Sequence, residues 1–513
     1  MSFSGREFEI KFSTDAAGLL AAWNSHLLVG SKTPPTSQTL TSTYYDTAQG
    51  DLKRQGMTLR LRRSGRSAPM IAFKWNAPAA EGPFARGEIE ARHPGVDLDI
   101  GQLGEPVAAE VRKAIADRQL EPQFETKFKR RIRLVTVGGA QIEAAFDEGE
   151  IVAGERRAPV TELEIELKSG AHPDFYDFAA RLAEHLPLQI ETLSKSKRGF
   201  LLTKNERPYP MKARETQMLA NASFDDVVAI MIGDTLQHFL ANWASLHDDV
   251  HPEAIHQMRV ALRRMRAILA LFHREAPCAD FIAFRAEAKR IASQLGPARE
   301  CDAFADIVAS GPRAMFSKPE IFKALDALVD ARRETLHEEA RRLIAAPSCA
   351  NFVLKLQAFL VRRGWRNALP ADQLPRLTQP AREVADKALD RLRKRALAQG
   401  KGLAALPDEQ RHELRISLKN LRYAAEFFGG LFVEPQELRA YVRSVSRLQD
   451  LLGAHNDAVC ARSFLDQINA AEGPDTALAT GVVLGWFAGA AAFADRDLLK
   501  AWKTFKTAER FWG

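Results

Sequence analysis

Four short stretches in the first 170 residues alternate charged or polar side chains with small or apolar ones. They are Glu7-Phe8-Glu9-Ile10-Lys11-Phe12, Thr58-Leu59-Arg60-Leu61-Arg62, Arg86-Gly87-Glu88-Ile89-Glu90 and Glu162-Leu163-Glu164-Ile165-Glu166-Leu167. Successive side chains of a strand point to opposite faces, so each stretch has one face for packing and one of Glu, Arg or Lys. One such strand alone is equally an ordinary half-buried strand with a wet face. Several of them predict a closed sheet, one side packed against a shell and the other lining a polar channel. Clustered carboxylates call for a cation, and clustered Arg and Lys for a polyanion. A channel holding both fits a metal-bound phosphate chain.

These stretches, together with Tyr45-Asp46-Thr47 and Ser194-Lys195-Ser196-Lys197-Arg198-Gly199, resemble the CYTH domain, the triphosphate tunnel metalloenzyme family. The match runs through about residues 5–202 in the family's motif order. The resemblance implies an antiparallel eight-stranded β tunnel with flanking helices, whose members hydrolyse or cyclise triphosphates with a divalent metal. A triphosphate needs its charge cancelled along its length, by Arg forks that grip two oxygens and by Lys point charges. The substrate-binding candidates are Lys11, Arg60, Arg62, Lys74, Arg86, Arg130 and Lys195. Arg130 is taken from the run 129–133 because it shares a face with Thr126, in a stretch resembling the family's Phe-x-Thr-x-x-x-Arg pattern. Arg198 is the alternative brace of the rim. Mg²⁺ and Mn²⁺ prefer oxygen donors, and the expected metal ligands are Glu7, Glu9, Glu162, Glu164, Glu166 and Asp147, the last sharing an inner face with Glu143. Glu7, Glu9 and Lys11 are the expected catalytic set. Each of these glutamates can also serve as an ion-pair partner for the tunnel cations. Glu88 and Glu90 are expected mainly to hold arginines in place.

Helices are expected at about 14–28, 105–119 and 173–185, strands within 39–75 with a turn near Gly50-Asp51, and a hairpin of 126–137 and 140–146 joined at Gly138-Gly139. Another hairpin turn is expected at Ser64-Gly65-Arg66-Ser67. The expected division is a tunnel domain at 1–202, a linker at 203–222 containing Pro208 and Pro210, and an all-α domain at 223–513. Charge is uneven across that division. Residues 1–200 hold 27 Lys+Arg and 27 Asp+Glu, so the whole surplus of +7 lies beyond them, in the part better suited to a large polyanion.

An internal repeat organises this second part. His256-Gln257-Met258-Arg259 returns 156 residues later as His412-Glu413-Leu414-Arg415, and at the same offset Arg263 matches Lys419 and Arg266 matches Arg422. Leu295-Gly296 is echoed by Leu452-Gly453, with Glu300 and Asp457 each four residues after the glycine. Spacings of 3, 4 and 3 put each basic set on one stripe of a helix, while Met258, Leu262 and Met265 lie off it and are free to pack. A solvated basic face is the ordinary outcome for such a run, but it has no need of a histidine at the same phase twice. This part resembles the CHAD domain, a helical domain of two similar four-helix halves implicated in polyphosphate binding. That resemblance makes His256, Arg259, Arg263, Arg266, His412, Arg415, Lys419 and Arg422 the polyphosphate-binding candidates.

The combined expectation is metal-dependent hydrolysis of inorganic triphosphate in the tunnel, beside a helical polyphosphate binder. The alternatives are a non-catalytic polyphosphate scaffold, or an adenylate cyclase or organic triphosphatase on the same fold. No Gly-x-x-x-x-Gly-Lys phosphate loop, strand-linked Gly-x-Gly-x-x-Gly or zinc spacing is evident. The basic helices lack interleaved aromatics for base stacking, so no specific nucleic-acid partner is expected. Four cysteines without a Cys-x-x-Cys pair predict free thiols in the cytoplasm, and polyphosphate binding would place the chain at polyphosphate granules. No charged-then-apolar run opens the sequence, so no signal peptide is expected. The uncharged run 478–494, rich in Gly and Ala, is expected to be a buried, closely packed helix rather than a membrane span. These residues do not fix an oligomeric state.

Overall fold

Alternation closes the first 200 residues into a barrel. In the computed structural model, residues 5–512 are described except 30–33, 66, 77–81, 96, 215, 217, 219–220, 247–249, 433–434 and 471–473. The strands are β1 Arg6–Ser13, β2 Thr36–Asp46, β3 Met57–Ser64, β4 Met70–Asn76, β5 Ala85–Arg92, β6 Glu121–Val137, β7 Ala140–Ala153, β8 Arg156–Ser169 and β9 Gln189–Ile190. Their antiparallel order is β5-β4-β3-β2-β6-β7-β8-β1, and β5 returns to pair with β1, Glu7 lying opposite Arg86. Eight strands therefore form a closed ring, and β9 adds a two-residue pairing beside Phe12 and Ser13. Closure removes the exposed edges that an open sheet would leave.

Five helices accompany the barrel: α1 Ala16–Asn24, α2 Asp51–Arg54, α3 Val107–Ile115, α4 His172–His185 and α5 Lys195–Lys204. Asp15 caps α1 by accepting from the Gly18 N–H, and Ser194 caps α5 by accepting from the Lys197 N–H. The Ser194 cap starts α5 at Lys195. Gly138 and Gly139 take φ of 58° and 96°, as the tight hairpin between β6 and β7 requires. The turn expected near Gly50-Asp51 contains the single turn α2. Its cause is the buried Asp46 carboxylate, which accepts the N–H groups of Leu52 and Lys53 at 2.9 Å each. The turn expected at 64–67 includes Arg66, which lies outside the described residues.

The apolar faces of β3 and β4 pack under α3, where Leu59, Leu61, Ile71 and Phe73 join Val107 and Val111 in one core. Leu61 has no exposed surface. Leu61→Ala should therefore lower unfolding free energy by about 2–5 kcal/mol in chemical denaturation while leaving substrate affinity alone. If the same substitution weakened binding without destabilising, the inner and outer faces of β3 would be exchanged.

Helices make up the rest of the chain: α6 Phe224–Ala241, α7 Pro252–Glu275, α8 Ala279–Gln294, α9 Gly296–Ser310, α10 Pro312–Met315, α11 Lys323–Ala345, α12 Pro347–Arg362, α13 Ala381–Gln399, α14 Asp408–Phe428, α15 Pro435–Gln467 and α16 Pro474–Thr507. A shift of 156 residues lays α6 on α13, α7 on α14, α8 with α9 on α15, and α11 on α16, giving two similar four-helix halves. The α8–α9 break has a local cause. Pro297 has no N–H and its ring clashes with the preceding turn, so a new helix starts there. In the second half Ala454 follows the matching Leu452-Gly453 where the first half has Pro297, and α15 runs unbroken for 33 residues.

By packing, one compact unit comprises residues 1–210, 240–247 and 344–364, and the other comprises 211–239, 248–343 and 365–513. Within the first unit, α12 lies along α4. Phe352, Val353 and Leu356 of α12 are buried, as are Phe175, Phe178 and Leu182 of α4, and Arg362 donates to Asp177. In the second unit α16 packs along α15. Its stretch Thr476–Thr507, with mean hydropathy 1.7, is long and apolar enough to cross a membrane. Only 33% of that window is buried. The run 478–494 departs from the buried helix expected of it: Val483, Phe487, Ala491 and Ala494 pack inward, but Leu478, Trp486 and Phe493 are exposed. A helix with neighbours on one side buries a single stripe, whatever the composition of the other.

Candidate active site

The barrel encloses a cavity of about 340 Å³, and each of the eight strands contributes a side chain to it. Strand register decides which charges meet. Lys11 lies opposite Glu164 and Glu9 opposite Glu166 on β1 and β8. Lys74 lies opposite Glu88 on β4 and β5, and Arg130 opposite Asp147 on β6 and β7. Nearly every cation then has a carboxylate. Lys74 Nζ stands 2.7 Å from Glu7 and 3.0 Å from Glu88. Arg60 reaches Glu88 at 3.1 Å and Glu90 at 3.2 Å, and Arg62 reaches Glu90 at 3.6 Å. Lys11 donates to Glu9 and stands 3.8 Å from Glu164.

All seven expected substrate-binding cations line this cavity, Lys195 coming from the first turn of α5. Among the described residues Arg86 has no carboxylate within ion-pair reach. The six expected metal ligands divide. Glu7, Glu9, Glu164 and Glu166 line the cavity, while Asp147 and Glu162 are wholly buried and do not. Oxygens of Asp147, Glu162 and Glu164 lie within 4.8 Å of one another, close enough to share an ion. Lys195 already stands among them, 2.7 Å from Asp147 and 2.8 Å from Glu164, and donates to Glu162 as well. Arg130 grips Asp147 through Nε at 2.7 Å and Nη2 at 2.6 Å and also donates to Glu164, while Arg198 donates to Glu162. Tyr44 and Lys168, both absent from the sequence-based candidates, also face the cavity, and Lys168 lies 2.7 Å from Glu166. Lys168 continues the two-residue period of Glu162, Glu164 and Glu166, and that period was the available signal.

Burial sets the electrostatics. Burial, helped by the Glu9 carboxylate, pushes Glu164 up to about 7. Burial also lifts Glu166 to about 7, against the Lys168 hydrogen bond and with Glu7 adding to it. Glu7 is raised by burial and by Glu9. Glu9 differs: burial works against its charge, but Lys11 and Lys74 outweigh it and hold the carboxyl well below its usual range. Asp147 is likewise held down at about 2 by Lys195 and Arg130 in spite of burial. Among the candidate metal ligands that line the cavity, Glu9 alone is held ionised, beside neighbours that resist ionising together; at the arginine end Glu90 is lowered too, Arg62 and Arg60 outweighing its burial.

The CYTH domain profile matches residues 5–200, and the CHAD domain profile matches residues 230–466. The chain is a CYTH domain followed by a CHAD domain. Its CYTH part is similar to an inorganic triphosphatase of Haemophilus influenzae, 34% identical over 168 residues, or 32% of this chain and 46% of that protein. The chain thus spans about half the length of that relative. An uncharacterized protein of Mycobacterium tuberculosis is 24% identical over 468 residues, covering 84% of this chain and 82% of that one. The crystal structure of the CHAD domain from the plant Ricinus communis is similar with a TM-score of 0.50 and 25% identity, over 60% of this chain and 99% of that one.

In the CHAD domain the two basic stripes run along α7 and α14, and Met258, Leu262 and Met265 are fully buried beside the first. The stripe residues have different fates. Arg259 donates to the Ala292 carbonyl on α8, and its counterpart Arg415 donates to the Gln449 carbonyl on α15 at 3.4 Å. A Cβ built on Gly296 would stand 3.0 Å from the Arg259 guanidinium, and one on Gly453 3.0 Å from that of Arg415. The repeated Leu-Gly makes room for these arginines. Arg422 bonds Gln449 and Glu426. Arg263, Arg266 and Lys419 instead line a groove of about 460 Å³. Burial and the nearby Arg415 and Arg263 bring Lys419 down to about 8, so the two stripes meet there. His412 is exposed. Half-buried His256 is held below its usual range by burial and Arg299, so it gains charge only below the pH of about 6.5 at which a free imidazole does.

Proposed function

We propose that the CYTH domain hydrolyses inorganic triphosphate with a divalent cation, Mg²⁺ or Mn²⁺, and that the CHAD domain binds polyphosphate. The observation that carries the reading is the tunnel lining, where cations and carboxylates interleave around the barrel cavity. The inorganic triphosphatase relative supports the choice of substrate.

Glu7, Glu9, Glu164 and Glu166 suit a hard divalent cation: they are oxygen donors on adjacent strands, and three of them are pushed toward protonation by burial and by one another's charge. These four would hold it, rather than Asp147 and Glu162, whose side of Glu164 is filled by Lys195. When bound, the cation would neutralise phosphate oxygens and acidify water. Arg60, Arg62, Arg86, Arg130 and Lys74 bind the phosphate chain. Arg60 and Lys74 do so by exchanging Glu88, Glu90 and Glu7 for phosphate oxygens, so no charge is bared before substrate arrives. Lys11 keeps Glu9 ionised, and Glu9 orients the attacking water and accepts its proton. Lys195 fixes Glu164 from behind.

Charge repulsion among these carboxylates gives a pH signature. Glu164 and Glu166 have folded values above the unfolded one of about 4.3, so their contribution to stability is full below that value and is lost as pH rises through about 7. A divalent cation should restore it. The rise in melting temperature on adding Mg²⁺ or Mn²⁺ should therefore grow across that interval, and a rise independent of pH would remove these glutamates from the metal site.

The direct test is phosphate release by the full chain from triphosphate, pyrophosphate, long polyphosphate and ATP, with either metal and with chelator. Activity that survives chelator refutes the metal reading. Cyclic AMP from ATP in place of phosphate would move the assignment to a cyclase.

Polyphosphate binding to the CHAD domain should rest on charge and weaken steeply with salt. Neutralising Arg263 and Lys419 together should cost at least tenfold in affinity, more than the scattered pair Arg341 and Lys500. Titration at several salt concentrations, with duplex DNA as competitor, reads both effects. Salt-independent binding or a preference for DNA counts against the proposal. Free cysteines, with Cys278, Cys301 and Cys349 buried, support a cytoplasmic placement, and polyphosphate binding supports association with granules.

A further inference from the structure

The CHAD groove differs in kind from the tunnel. Among the described residues no carboxylate lines it. Its rim carries Arg263 and Arg266 from α7, Arg285 from α8, Arg391 and Arg395 from α13 and Lys419 from α14. Of these six only Arg391 is ion-paired among the described residues, to Glu275 at 2.9 Å. The Nε atoms of Arg263 and Arg266 are buried without a hydrogen-bond partner, a costly state that an anion in the groove would relieve. The floor is apolar and aromatic, formed by Ile268, Phe272, Tyr423 and Phe427, with exposed Ile416 at its edge. Among the described residues, Asn420 is the one neutral amide in the lining.

An inorganic phosphate chain uses the rim alone. It has nothing to lay on the floor and no use for a carboxamide that both donates and accepts. A nucleoside polyphosphate uses all three features: phosphates on the arginines, a planar base against the apolar floor, and the base edge on Asn420, whose donor–acceptor pair matches that of adenine. The volume is of the size that small-ligand sites have, roughly 300–1,000 Å³. We infer that this groove binds a nucleoside polyphosphate, with an adenine base the best match, and that it does so without a metal ion. The inference builds on the CHAD domain as an anion binder and narrows it to an organic ligand.

The test is calorimetric titration of the full chain, in chelator, with ATP, inorganic tripolyphosphate and long polyphosphate. Two neutral groove substitutions, Ile416→Ser and Asn420→Ala, leave the rim charge intact, and Ile416 is exposed, so folding is not at stake there. Tripolyphosphate also has the tunnel to bind, so the two ligands are compared in the tunnel variant Arg60→Ala, where ATP is expected to bind at least tenfold tighter than tripolyphosphate, despite the latter's greater charge. That advantage should be lost when Ile416→Ser or Asn420→Ala is added to Arg60→Ala. In this background, ATP binding that ignores both groove substitutions, or tripolyphosphate binding as tightly as ATP, overturns the inference. If long polyphosphate binds while ATP does not, the inference fails and the anion-binding reading stands. If none of the three binds, both fail.

Discussion

Glu9→Gln is expected to lower triphosphate turnover by about 10²–10⁴-fold while leaving the barrel folded. The substitution keeps the shape of the side chain and removes the candidate metal-site carboxylate that its surroundings hold ionised. Lys11, its hydrogen-bond donor, still has Glu164 at 3.8 Å, so no cation is left bare. The loss should appear in kcat at saturating triphosphate and metal, with KM changing less and the melting temperature little moved. Turnover within tenfold of the parent protein would remove Glu9 from the chemistry, and an unfolded variant would make it a structural residue instead.

Lys195→Met should be the most damaging single change to stability. The ammonium is 7% exposed and serves Asp147, Glu162 and Glu164 at once. Removing one partner of such a buried cluster costs about 3–5 kcal/mol, because charges stay behind in a medium that solvates them poorly. Asp147 is held at about 2 by Lys195 and Arg130, and without the lysine its folded value rises. A carboxyl raised in this way favours the folded state only while protonated, so the deficit should be larger at about pH 8 than at about pH 5. Denaturation at the two pH values measures it. Adding Glu162→Gln should return part of the stability. A deficit that is the same at both pH values would mean that lost packing, not stranded charge, is the cause.

The tunnel was legible because its signal is local. A two-residue period assigns a face to Glu9, Arg60 or Glu164 without knowledge of any partner strand, and the barrel then gathers those faces. Asp147 and Glu162 obey the same period, yet they lie behind Lys195. Which inward-facing carboxylates reach open space depends on where α5 plugs the wall, and periodicity carries no depth. The helical stripes show the same limit. Spacing placed Arg259 and Arg263 on one face of α7, but only the approach of α8 decides that Arg259 is spent on a backbone carbonyl while Arg263 stays available. The Leu-Gly echo was visible as a repeat, and its purpose as clearance for an arginine was not. The packing of α12 along α4 joins Arg362 to Asp177, 185 residues apart, with no periodic signature to announce it.

That last packing gives the barrel a timetable. A ribosome releases α4 long before α12, and the segments of the first compact unit are complete only at residue 364, some 154 residues after its first long segment ends at Pro210. From the end of α4 at His185 to the end of α12 at Arg362 is 177 residues, so at roughly 5–20 residues per second α4 waits about 9–35 s for its cover. During that interval Phe175, Phe178 and Leu182 lack a neighbour that the finished protein supplies, and a nascent chain of this kind is a natural client for holding chaperones. Synonymous codon choice between residues 210 and 344, which changes no side chain at all, would then alter the yield of folded protein.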